Sequence, residues 1–133
     1  MGRGGRQQDA SVGTFAQRNE IYTTTGSGTV PIRPGTYEVY ATRGMEYGVV
    51  RQRVTVTPGG SASATFRLKR VIRTGDALSA DFHVHSGRSL DSSAPPEDRV
   101  ATFVAEGVEV MVSTDHDKHL DYGPVIGRLG LAG

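Results

Sequence analysis

The stretch "SADFHVHSGRSLDSSAPPEDRVATFVAEGVEVMVSTDHD", residues 79–117, decides how the second half of this chain folds. Its period changes twice. "ALSADFHVH" has the short, apolar-alternating pattern of a strand, "PPEDRVATFVAEG" that of a helix, and "VEVMVST" is a second strand. The helix is well punctuated. Ser92 or Ser93 can cap it, Pro95 or Pro96 suits its first turn, Glu97 and Asp98 complement its dipole, and Gly107 ends it. Val100, Phe103 and Val104 form its apolar stripe. Strand, helix and strand with short links predict a βαβ unit, whose chemistry gathers at the C-terminal ends of the strands.

That geometry gives meaning to Asp81-Phe82-His83-Val84-His85. Alternate residues of a strand share a face, so Asp81, His83 and His85 are expected to point together, with Ala80, Phe82 and Val84 packed the other way. The second strand ends in Thr114-Asp115-His116-Asp117. Two adjacent parallel strands then bring His83, His85 and His116, with carboxylates, to one rim. Neutral imidazoles and carboxylates are the donors that zinc, manganese or iron takes. A lone His-x-His is weak evidence; the same pair followed by a punctuated helix and Thr-Asp-His outlines a metal site.

Working outward, residues 11–73 alternate with a period of two. "TYEVYATR", "VVRQRVTVT" and "SASATFRLKR" each predict a half-buried antiparallel strand. Pro58-Gly59-Gly60 between the last two predicts a hairpin, and "IYTTTGSGTVPI" suggests two shorter strands around Gly26-Ser27-Gly28. Strands at this spacing predict a sandwich. Tyr37, Tyr40 and Tyr47 are expected to pack within it.

Composition excludes several classes. The 133 residues contain no cysteine, which removes disulfides, thiolate metal sites and a cysteine nucleophile. The formal net charge of +1 offers no electrostatic case for nucleic acid. No apolar run reaches the length of a membrane span, and no signal-peptide pattern opens the chain. Residues 1–9, with the basic Met1-Gly-Arg-Gly-Gly-Arg6, are expected to be a disordered terminus.

Two resemblances sharpen these expectations. "TTTGSGTVPIRPGTYEVYATRGMEY" followed by "VTVTPGGSASATFRLKR" resembles the carboxypeptidase-regulatory-like or transthyretin-like β-sandwich, in which a Gly turn, a Pro-Gly-x-Tyr turn and a Pro-Gly-Gly turn recur in this order. "ADFHVHS" and "STDHD" resemble the first two motifs of the PHP domain (polymerase and histidinol phosphatase), and the wider segment is similar to the CehA/McbA-type metallohydrolases. The implied fold class is α+β: an antiparallel sandwich over residues 10–73, then over 76–133 the first βαβ unit of an incomplete (β/α)7 PHP barrel.

By position, the second resemblance implies that His83 and His85 bind one metal and His116 serves a neighbouring one. Asp91 stands where a further ligand often comes. Asp81 and Asp115 would hold the ligand histidines by hydrogen bonds, although capping a strand end suits both equally. Asp117 takes a position where Asn is frequent, and His119 is either a substrate-side group or idle. The implied activity is hydrolysis of a small-molecule phosphoester, carboxylic ester or carbamate by metal-activated water. The family's later ligands, a bridging carboxylate, further histidines and an Asp-x-His, have no counterpart after His119. The expectation is therefore the N-terminal portion of a longer enzyme. The alternative is a non-catalytic β-sandwich module that retains a metal motif.

Overall fold

Residues 7–8, 14–17 and 19–132 are described by a computed structural model of the chain. They form a small mixed α+β arrangement of seven short strands and two helices. The chain groups into two units, one made of Met1–Thr29 with Ala77–Gly133 and the other of Val30–Asp76.

In the first unit, β1 (Gln7–Gln8), β2 (Thr14–Gln17) and β3 (Glu20–Thr23) make an antiparallel sheet in that order. Gln7 and Gln8 thus pair with Ala16 and Phe15, where disorder was expected; the rest of the 1–9 segment lies outside the described residues. The predicted βαβ unit follows. β6 (Ala80–Val84) pairs in parallel with β7 (Val110–Ser113), and α1 (Pro96–Ala105) connects them; β4 (Gly35–Ala41) and β5 (Val50–Val56) belong to the second unit. Pro95 and Pro96 open α1, and Glu97 and Asp98 occupy its first turn. No side chain caps the helix, so neither Ser92 nor Ser93 has the expected role. Gly107, at φ 69°, closes α1: its amide donates to Val104 and that of Val108 to Phe103. Such a closure needs a left-handed residue, which glycine supplies without Cβ strain. α2 (Gly123–Arg128) ends in the same way at Gly130.

The core of this unit is small. Val100 of α1 packs with Tyr122 and Val125, with Val104, Met111, Leu120, Ile126, Leu129 and Leu131 partly buried around them. β7 is half-buried rather than covered on both faces, as its alternation with the exposed Val112 shows. Glu109, which interrupts the apolar run, accepts a hydrogen bond from the Ser79 amide beside the start of β6.

In the second unit, β4 (Gly35–Ala41) and β5 (Val50–Val56) form a two-stranded antiparallel ladder from Gly35–Val56 to Ala41–Val50. Glu38 on β4 meets Arg51 and Arg53 on β5, and Thr36 bonds Thr55. The hairpin predicted across Pro58-Gly59-Gly60 is present only at its two ends: the Gly60 amide bonds the Thr57 carbonyl at the turn and Arg70 bridges Tyr47 antiparallel in the same register, while 61–69 between them contain no strand. Alternation survives in the burial, since Phe66 and Leu68 are half-buried while Arg67 and Lys69 are exposed. The second of the two strands predicted around Gly26-Ser27-Gly28 is also absent. No residue of 30–76 is fully buried, so this unit lacks the apolar interior that two stacked sheets would share. Neither a sandwich nor a barrel is shown by the described residues.

Candidate metal centre

The end of β6 is irregular. Asp81 pairs with Met111 and Val84 with Ser113, so three steps on β6 match two on β7. An extra residue of this kind breaks the two-residue alternation. The expected common face is therefore split. Asp81 turns its carboxylate back to accept from the His83 amide at 2.9 Å, and Phe82 is 71% exposed instead of packed. Val84 is buried as expected.

Beyond the irregularity, His83 and His85 do converge. Their Nε2 atoms lie 2.8 Å apart. On its other side, the His85 Nδ1 is 2.9 Å from both oxygens of Asp91. The His116 ring stands edge-on to His85 with centroids 4.8 Å apart, and its Nε2 is 3.4 Å from Asp91 Oδ2. His85, Asp91 and His116 offer three ligand atoms within 4.8 Å of one another, a group that could hold a metal ion. Asp91, expected only by resemblance, is the residue that joins the two strand ends.

The loop after β6 makes this possible. Ser89, buried, donates to Asp91 Oδ1 at 2.6 Å and accepts from the His116 amide at 3.2 Å. The Ser89 hydroxyl first, and His85 second, hold the Asp91 carboxyl far below its ordinary value of 3.8, so it is an anion throughout the neutral range. A carboxylate with both oxygens at one nitrogen favours the Nδ1–H tautomer of His85, which leaves the Nε2 lone pair directed at His83. The side chain of His85 is 16% exposed, against 52% for Asp91 and 59% for His116, so the cluster is walled on the His85 side and open on the other.

The remaining expected residues play other parts. Asp115 is buried and touches neither imidazole; it accepts from the amide and the hydroxyl of Ser86 at 2.6 and 2.9 Å. Asp117 is exposed in the left-handed conformation at φ 54°, a backbone state that Asn and Asp tolerate best among residues with a side chain. His119 is exposed on the same loop and is not part of the cluster. Three contributors were missed: Ser86, Ser89 and Arg99. Their types carry no signal, because the partners they meet, the Asp91 and Asp115 carboxylates and the backbone at His85 and His116, are brought to them only by the fold.

A scan against protein-family models, a search of curated proteins and a search of solved structures each found no match. Among the described residues, no helix is long and apolar enough to cross a membrane.

Proposed function

We propose that this chain carries the first metal-binding motifs of a PHP-type metal-dependent hydrolase. One observation carries the reading: His85, Asp91 and His116 come from two neighbouring parallel strand ends and one loop, yet their donor atoms meet, with His83 against His85. Surface histidines have no reason to gather in this way, because imidazoles that become charged repel each other. The donor set, nitrogen with one carboxylate and no sulfur, suits zinc, manganese or iron.

His85, Asp91 and His116 would hold the ion, and His83, whose Nε2 meets that of His85, would stand beside them. A divalent cation held there would supply a Lewis acid for an ester or phosphoryl oxygen and would lower the pKa of water. The chain's own residues do the rest. Asp91 supplies fixed negative charge and orients His85; Ser89 holds Asp91 and the start of the His116 loop together. The open side next to Asp91 and His116 leaves room for a small ester or phosphoester.

The test is a titration of the metal-free chain with Zn2+ and Mn2+, followed by assays on a nitrophenyl phosphate, ester and carbamate. Binding with micromolar or tighter affinity, lost in His85→Ala and His116→Ala, supports the reading. Wild-type binding no tighter than that of the two variants rejects it.

A further inference from the structure

The two polar groups of a single peptide bond, His85–Ser86, are each gripped by an ionised side chain from a different element. Arg99, on the first turn of α1, donates from Nε to the His85 carbonyl at 2.7 Å. Asp115, just past β7, accepts from the Ser86 amide at 2.6 Å and from the Ser86 hydroxyl at 2.9 Å. Ser86 is completely buried and Asp115 nearly so. Ser92 adds its hydroxyl to the same carbonyl at 3.3 Å and accepts from Arg99 Nη2 at 3.3 Å. Charge-assisted bonds of this kind are about twice as strong as neutral ones. A buried peptide held from both sides cannot rotate without leaving one charge unpaired.

We infer that Arg99 and Asp115 are positioning residues that clamp the 85–86 peptide plane and thereby fix the His85 imidazole between His83 and Asp91. This rests on the metal-site reading above. The clamp reaches the second strand as well, because Asp115 directly precedes His116. One carboxylate thus sets the offset between the two strand ends that carry the imidazoles. Simple packing does not require this arrangement: a buried loop needs its amides satisfied, but neutral acceptors would do that. Placing a full positive and a full negative charge on opposite edges of one peptide fixes its orientation.

The experiment compares the wild-type chain with Arg99→Lys, Arg99→Gln and Asp115→Asn, each checked for folding by circular dichroism. Zn2+ affinity is measured by competition with a chromogenic chelator, and the Ser86 amide resonance is followed in the metal-free chain. Residues that orient a ligand change metal affinity by about 10- to 100-fold. The expected result is a loss of about tenfold in Zn2+ affinity for Arg99→Gln and for Asp115→Asn, with the Ser86 amide moving upfield in the latter. Arg99→Lys keeps the charge but loses the flat Nε donor, and is expected to recover only part of the affinity. It also carries the test if Asp115→Asn does not fold. Folded variants that bind Zn2+ as tightly as wild type overturn the positioning role alone. A wild-type chain that does not bind Zn2+ overturns the metal site and the positioning role together.

Discussion

Asp91 lies on the surface, yet Ser89 and His85 keep its carboxyl ionised far below the ordinary range. The sign of the consequence is fixed. A carboxyl whose folded pKa is depressed contributes stability that is fully present above its unfolded value, about 3.9, and is lost as pH falls below that. Asp91 therefore stays charged between pH 5 and 8 and adds no pH dependence of its own to metal affinity in that window. Asp91→Asn is expected to lower Zn2+ affinity by about 10- to 100-fold at every pH while keeping the slope of affinity with pH, as chelator competition at several pH values would reveal. A changed slope would mean that Asp91 itself titrates. At this scale the sequence disclosed the ligand types but not their geometry. His83, His85 and His116 were legible from spacing, whereas the turn of Asp81 away from them depends on an irregularity between two strands 30 residues apart.

The elements differ in how much of their stability is local. α1 was legible because its signals lie within it: paired prolines at the start, acids in the first turn, a glycine after the end. A strand needs a partner, and the alternation in 61–69 states a preference for a half-buried surface without naming one. In the structure the carbonyl of Lys69 takes the Gly48 amide and the amide of Val71 finds the Glu46 carbonyl, so the expected pairing survives at the far end of the hairpin while 61–69 form no strand beside β5. Within the first unit, α1 and α2 meet through Val100, Tyr122 and Val125. Val100→Ala removes two methyl groups from that contact and is expected to cost about 2 kcal/mol, read by denaturant unfolding. Arg128 on α2 also pairs with Glu97 on α1 at 2.6 Å. Both side chains are more than a third exposed, so Glu97→Gln is expected to cost less than about 1 kcal/mol and to matter less in high salt. The Arg128 bond, ahead of a backbone bond, holds the Glu97 carboxyl below its ordinary value. That small contribution is fully present above the ordinary carboxyl value and is lost progressively as pH falls below it. An effect of Glu97→Gln that is undiminished in strong acid would exclude this origin.

At the scale of the whole chain, apolar burial is unevenly distributed. The first unit has buried side chains from Val84 to Val125, while 30–76 have none and rely on a two-stranded ladder, which is marginal by itself in water. Many large apolar side chains stay exposed, among them Met45, Leu78, Phe82 and Leu90. Low burial leaves little reserve against the entropy of the open chain, so binding energy weighs heavily. Every donor of the metal cluster, His85, Asp91 and His116, belongs to the first unit. An ion that binds only the folded state stabilises it by mass action, by about 2.7 kcal/mol at 100 times its Kd. Excess Zn2+ is therefore expected to slow amide hydrogen exchange in β6, α1 and β7 by up to about 100-fold, and a chelator to reverse the effect. The β4–β5 amides serve as the internal reference. If they keep their metal-free rates while β6 and β7 slow, the two units open independently. If all of them slow by the same factor, the chain unfolds as one cooperative body. In that case the metal motif stabilises residues far outside its own unit.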